Sequence, residues 1–253
     1  TEYSIIPDFI FSNYSYIFEG CFSFEKGLCL TFKTYLSTFF FCFFTWAITL
    51  LLGFCVAYFL VFYINSIPLQ VTLFLICTIP FWTSNVIRMV AWIPLLGRNG
   101  LVNDLLLSSG IIQEPLEWLL YSNFSVILAL VHLYTLFMIV PIFNSMLRID
   151  KEVIEAAYDA GASQIQVIMS VIIPLCKPGI IIGSIFVITV VMGDFLTIGI
   201  MGGQQLASVG KIINTEMNYL QLPGAAANSV ILLVITILVI IVMTKFIDIR
   251  KEL

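Results

Sequence analysis

An all-α integral membrane protein, a polytopic helical bundle, follows from three observations. Hydrophobic residues make up 60% of the chain and charged residues only 10%, against roughly 25% charged in a soluble domain, and mean hydropathy is +1.08. Five runs are each long enough to cross a bilayer, which takes about 20 mostly apolar residues. None of them alternates with the period of two that marks a barrel strand. Backbone polar groups in lipid must be satisfied within the segment, so each run is a helix. The 253 residues and formal net charge of −4 suit one such bundle, and no basic cluster or stacking motif points to nucleic acid.

In chain order, residues 1–34 form an extracytoplasmic N-terminal segment, with no apolar stretch of the kind a signal peptide carries. The spans are Leu36 to Tyr63, Leu69 to Trp92, Phe124 to Met146, Gly179 to Ile200 and Ala225 to Phe246. Together they make a transmembrane domain over 35–246, with a loop at 148–178 and a tail at 247–253. Pro80 and Pro141 fall inside the second and third spans and are expected to bend them. Orientation follows from basic residues near span ends. Placing the 148–178 loop in the cytoplasm puts Arg148, Lys151, Lys177, Lys245, Arg250 and Lys251 inside, and spreads Lys26, Lys33, Arg88, Arg98 and Lys211 over longer outer segments. Thr1 then lies outside, and a sixth helix preceding it would restore an inside N-terminus.

Of six cysteines, Cys42, Cys55 and Cys77 lie in apolar runs and read as inert core residues, while Cys176 sits beside Lys177 at a span boundary. Cys21 and Cys29 lie in a polar stretch. They either pair in an oxidising compartment or remain two free thiols.

The densest polar information is in the 148–178 loop. Asp150 can cap a first short helix, with Glu152 favourable in its first turn. Gly161 can end that helix in the left-handed conformation. Ser163 and Gln166 then form a Ser-x-x-Gln capping box that opens a second helix, and Pro174 is expected to stop it. Glu155 and Asp159 are four apart on one face and repel each other unless a cation approaches. Ile154, Ala157 and Tyr158 form an adjacent apolar stripe, and the small Ala156 and Ala157 allow another surface to come close. The plain alternative is a solvated loop with a Lys151–Glu155 pair worth about 0.2–0.5 kcal/mol.

Glu155-Ala156-Ala157, three residues, Gly161, nine residues, then Val171-Ile172-Ile173-Pro174 resembles the signature loop of ABC importer permeases. Val171 and Ile173 replace the family's Ile and Leu. The resemblance runs over roughly Tyr35 to Phe246 and implies the type I ABC importer permease fold, commonly six spans around a five-span core. It implies that the loop is a coupling helix docked on a separate ATPase, with Glu155, Ala156, Ala157, Asp159 and Gly161 at the contact and Glu155 meeting a basic residue. Two ATP-binding subunits, a second permease and an extracytoplasmic solute-binding protein are implied partners in a bacterial inner membrane. The chain has no Gly-x-x-x-x-Gly-Lys-Ser/Thr phosphate loop. No cofactor is therefore expected on this chain; ATP and Mg2+ belong to the partner ATPase, and the chain itself is no enzyme.

Within the family, four stretches are similar to spermidine/putrescine-type permeases: Pro80 to Arg88, Gly193-Asp194-Phe195-Leu196-Thr197, Met201-Gly202-Gly203 and Leu222-Pro223-Gly224-Ala225-Ala226. Permeases for iron, sulfate and phosphonates share parts of them. The resemblance implies a polyamine or related organic cation. An ionised carboxylate at mid-bilayer costs about 2.5–3.5 kcal/mol on insertion scales, so Asp194 is the first candidate for substrate contact. Its alternatives are a salt bridge to Arg88 or a cap on a broken helix. Trp82, Trp92 and Tyr219 are candidates for cation–π contact or for the interfacial belt, and Asn85 joins them on the pathway. Arg88 either anchors to headgroups or selects an anion. Glu114, Glu117 and Glu216 are solvated outer charges, contacts to a binding protein or an acidic mouth. His132 reads as packed and hydrogen-bonded. A gradient-driven carrier using Asp194 and His132 would lack reason for the Glu155 loop, and a membrane enzyme would need a nucleophile or metal constellation that one histidine and scattered cysteines do not supply.

Overall fold

The computed structural model describes residues 12–18 and 29–245, and among them every regular element is a helix. A short α1 (Ser12–Ile17) precedes α2 (Leu30–Tyr58), which runs on through a π turn, Phe59–Tyr63. This first span therefore starts six residues before the expected Leu36. Its inward face explains the extension. Thr34, Thr38, Thr45 and Thr49 are all at most 2% exposed and share one stripe with Gly53 and Ala57. Phe39, Phe40, Phe43 and Phe44 point outward. In lipid the usual amphipathic order is reversed: small hydroxyl residues line the bundle, and bulky rings face the surroundings. Trp46 donates from Nε1 to Ser184 Oγ at 2.8 Å, and Thr38 Oγ1 accepts from Val209 N at 3.0 Å.

The second expected span is not one helix. α3 (Ile67–Thr78) ends in a 3-10 turn, Ile79–Trp82, and α4 (Asn85–Val90), α5 (Ile93–Leu96) and α6 (Leu101–Ser108) follow with an 89° bend at the break. Pro80 does more than bend the helix. Its carbonyl accepts both the backbone N (3.3 Å) and the Oγ1 (2.8 Å) of Thr83, closing the turn. Asn103, fully buried, then staples the following segment. It donates to the carbonyls of Gly97 (3.0 Å) and Leu116 (3.2 Å) and accepts from Leu116 N (2.8 Å).

α7 (Asn123–Met146) is the central helix, opened by a Ser122/Ser125 capping box. Val126, Ala129, Leu130, Met138, Ile142 and Met146 are at most 1% exposed. Pro141 sits inside the helix without ending it. After the loop helices α8 (Lys151–Asp159), α9 (Gln164–Val167) and α10 (Ile173–Leu175), α11 (Lys177–Gly193) returns against α7 and α2. Gly179 and Gly183 are one turn apart on α11 and allow this contact. A Cβ on Gly179 would lie 2.5 Å from Pro141 O, and one on Gly183 would lie 2.8 Å from Met138 Sδ. Gly53 of α2 meets Met138 from the other side, at 2.8 Å from Cγ. Such small-residue contacts let backbones approach where burial from water supplies no drive.

The fourth expected span also breaks. α11 stops at Gly193, Asp194 is extended, and α12 (Leu196–Met201) starts anew; α13 (Val209–Asn218) folds back beside α14 (Leu222–Thr244). α14 buries little and turns Leu233, Val234, Leu238 and Ile241 outward. Among the described residues three helices are long and apolar enough to cross a membrane, and up to five spans are reached when each bent pair is counted as one.

Cys42 is buried as expected, but Cys55 lies on the outward face of α2 and Cys77 is half-buried; Cys176, at the span boundary, is buried. Cys29 is disulfide-bonded, whereas Cys21 lies outside the described residues. The basic positions Lys26, Arg250 and Lys251 lie outside them as well.

Gly179→Ala must displace a backbone carbonyl, whereas Gly183→Ala meets the flexible end of Met138. We expect the first to cost about 1–3 kcal/mol and the second clearly less. Thermal unfolding in detergent checks the order; equal losses would contradict the close approach at Pro141.

Candidate functional site

The polar loop after α7 is built largely as the sequence implies. α8 has no buried residue. Glu155, Ala156, Asp159 and Gly161 are exposed, while Ile154 and Ala157 are half-buried and pack on the chain's own core. Ala157 is therefore turned inward, and Ala156 is the small residue left on the open face. Gly161 has φ +83°, the left-handed region where a side chain is strained, and open space around it. Gln166 Oε1 accepts from Ser163 N (2.8 Å) and Oγ (3.0 Å), completing the box that opens α9.

Two local expectations fail. Asp150 stands at the N-cap of α8 without a side-chain hydrogen bond. Pro174 does not stop the second helix, which continues to Leu175 before a 68° bend. A π turn, Ile168–Ile172, widens the helix just before the proline. That extra residue accommodates a ring that would otherwise clash with the carbonyl four residues back.

The Lys151–Glu155 pair is absent. Among the described residues the one ion pair is Arg98–Glu117 at 3.3 Å, both side chains at least 70% exposed, and such surface pairs contribute little. Glu155 and Asp159 thus present an acidic face that forms no ion pair among the described residues. Behind α8 lies a cavity of about 350 Å³ lined by Tyr58, Tyr63, Ile154, Glu155 and Tyr158. Gln164 Nε2 donates to Tyr63 Oη at 3.1 Å, tying the loop to the end of the first span.

The second site is the break between α11 and α12. Asp194 is 8% exposed. Its Oδ1 accepts from Thr197 N at 2.9 Å, and its Oδ2 accepts from Thr197 Oγ1 at 2.6 Å and from Tyr134 Oη at 2.5 Å. Of the two structural alternatives, the cap on a broken helix is the one formed. No salt bridge joins Asp194 to Arg88. Arg88 is 9% exposed, donates from Nη2 to Asn85 Oδ1, and leaves Nε buried without an acceptor. It lies within electrostatic reach of Tyr134 and His132.

The remaining candidates do not converge there. Trp82 and Tyr219 are 78% and 75% exposed, and Asn85 is exposed. Trp92 is half-buried and donates from Nε1 to His132 Nδ1 at 3.2 Å. His132 is hydrogen-bonded as expected but sits on an outward face, and no metal-ligating cluster occurs among the described residues. Glu216 is half-buried and accepts from Asn228 Nδ2 at 3.1 Å, so it is no simple solvated charge. Glu114 and Glu117 are exposed. On α13, burial lowers the ammonium of Lys211 from its ordinary range, and its Nζ donates to Leu206 O at 3.2 Å. Sequence reasoning missed Tyr134. A tyrosine inside an apolar span needs a partner for its hydroxyl, and Asp194 was available.

Residues 56–250 match the family of binding-protein-dependent transport system inner membrane components. The chain belongs to that family. The spermidine/putrescine transport system permease protein PotB of Escherichia coli (strain K12) is 34% identical over 196 residues, covering 76% of this chain and 70% of that protein. PotB of Haemophilus influenzae is 38% identical over 144 residues, covering 57% of this chain and 50% of that protein. The fold of this permease is similar to that in a crystal structure of a bacterial alginate ABC transporter in complex with its alginate pentasaccharide-bound periplasmic protein. There the TM-score is 0.73 at 14% identity, over 91% of this chain and 84% of that one. It is an ABC importer permease of the inner membrane, with the all-α fold of its class.

Tyr134→Phe removes one donor from the buried Asp194 carboxylate and is expected to cost about 1–3 kcal/mol. Thr197→Val, which keeps the backbone donor, should cost a similar amount. Unfolding midpoints in detergent read both, and an unchanged midpoint for Tyr134→Phe would show that the Tyr134–Asp194 hydrogen bond does not stabilise the break.

Proposed function

We propose that this permease forms half of the translocation route of an ATP-driven polyamine importer and is driven through α8 by a separate ATPase. The observation that carries the coupling role is the exposed acidic face of Glu155 and Asp159, without an ion pair among the described residues and offered on a two-helix loop. A basic side chain of an ATP-binding subunit would relieve that repulsion. The loop joins α7 directly and α11 through α10, so a displacement of α8 acts on the two central helices together. Two ATP-binding subunits with bound ATP and Mg2+, a second, related permease and an extracytoplasmic solute-binding protein complete the assembly in this reading.

The PotB relatives support a polyamine cargo, since their names specify spermidine and putrescine. Asp194 enters this reading as a positioning residue. Its two oxygens already take three hydrogen bonds, and it fixes where α12 starts against α7. The exposed rings of Trp82 and Tyr219 remain open to an ammonium group, whereas the Asn85 carbonyl is already taken by Arg88. A second reading, an importer of an anion such as sulfate or a phosphonate, is favoured by one observation: the buried Nε of Arg88 without an acceptor.

The test is ATP hydrolysis by the complete complex in lipid with loaded binding protein. Spermidine, putrescine, sulfate, phosphonate and ferric iron are each supplied in turn. Stimulation by the polyamines is expected; stimulation by an anion alone would transfer the reading to Arg88. Glu155→Ala should lower the stimulated rate on the order of tenfold, the equivalent of one charge-assisted contact. A normal stimulated rate would sink the docking role. Asp194→Asn should weaken transport through a shifted α12 while leaving assembly intact, and wild-type uptake would reduce the cap to a stability feature.

A further inference from the structure

A stripe of α7 connects the Asp194 site to a cavity at the loop end of the helix. Tyr134, Phe137, Pro141 and Asn144 follow one another at spacings of three and four, so they share one face of α7, and Arg148 stands in the turn just past its end. At its upper end Tyr134 holds Asp194. At its lower end, Pro141, Asn144 and Arg148 line a cavity of about 920 Å³, together with Ile182 and Ile185 of α11 and Asp150 at the loop. That volume is of the size that takes small ligands.

Phe137 stands between the two. Its ring is 5.5 Å from that of Phe81, 6.1 Å from Tyr134 and 6.3 Å from Phe186. These rings come from three separated stretches: the 3-10 turn after α3, α7 and α11. Phe81 and Phe186 are each nearly half exposed. The Phe81–Phe137 contact is edge to face, at 86°, which leaves ring faces open. Phe186 lies on α11 two turns beyond Gly179, whose contact with Pro141 sets the register between the two helices.

From this continuity we infer that the α7–α11 groove is this chain's share of the translocation route, and that the Phe81–Phe137–Phe186 cluster is its aromatic constriction, with an organic cation as its occupant. The inference rests on the polyamine reading above. A polyamine alternates ammonium groups with methylene spacers. Open ring faces attract the first, ring edges and Ile182 and Ile185 accept the second, and where the groove reaches the loop Asn144 and Asp150 supply acceptors, the Asp150 carboxylate balancing the charge of Arg148 on the same cavity. A lipid chain would leave the Asn144 amide and Asp150 carboxylate unused. A polyamine, a row of donors, uses both.

The complete complex in proteoliposomes tests this in two ways. In a variant whose free cysteines are replaced, Asn144→Cys is exposed to a charged, water-soluble thiol reagent. Modification, slowed by spermidine with loaded binding protein, is expected of a water-filled route. A residue that is not modified, or is modified at a rate spermidine does not change, would overturn the inference in favour of lipid or the second permease filling the groove. Independently, Phe137→Leu should raise the KM for spermidine uptake about tenfold, and Phe137→Tyr should restore it. Equal KM values for Leu, Tyr and wild type would also overturn it. Failure of the wild-type complex to respond to any polyamine would instead defeat the substrate reading. Asn144→Cys modification would still show whether the groove is a route.

Discussion

Helices that meet inside a bilayer gain nothing from leaving water, so this bundle depends on how closely α7 can be approached. Met138 is gripped between Gly53 of α2 and Gly183 of α11, and Gly179 brings α11 against the carbonyl of Pro141. The same proline removes a donor from α7 without ending the helix. Once α7 and α11 are set at this distance, their registers decide which side chains face each other farther along. Ser184 then reaches Trp46, and Phe186 reaches Phe137. Polar contacts such as Trp46–Ser184 add direction to the packing; they do not supply its closeness.

The functional features follow from where this tight core stops. At the loop end, α8 has only Ile154 and Ala157 to turn inward, and its acidic face remains open. At the other end, the α11 span breaks at Asp194 because the side chain competes successfully for a backbone donor, that of Thr197, and gains the Tyr134 hydroxyl as well. A carboxylate buried in a span is costly, and here three hydrogen bonds offset the cost. The break moves α12 beside α7, where Ser125 Oγ donates to Met201 O at 3.0 Å. The loop and the broken span thus lie at the two ends of one packed pair, α7 and α11.

Broken helices are the main departure from a plain count of hydrophobic runs. Pro80 and Asp194 each interrupt a stretch that is long and mostly apolar. Hydropathy averages over both. The decisive events are hydrogen bonds formed by single side chains: Thr83 to the Pro80 carbonyl, and Asp194 to Thr197. Asn103 works the same way in the segment between spans, where one buried amide organises three backbone groups.

By itself the sequence determined the class, the helical spans and the loop. Those features are local or compositional: apolar length answers to bilayer thickness, and Glu155, Gly161, Ser163 and Gln166 act through neighbours three to eight residues away. Tertiary structure alone decided that Ala157 faces inward while Ala156 does not, that Asp194 serves Thr197 and Tyr134 instead of Arg88, and that Phe81, Phe137 and Phe186 meet. Each of those outcomes depends on helix rotation and register. In lipid these are set by the shape of small residues in contact, and no one-dimensional pattern of hydrophobicity carries that information.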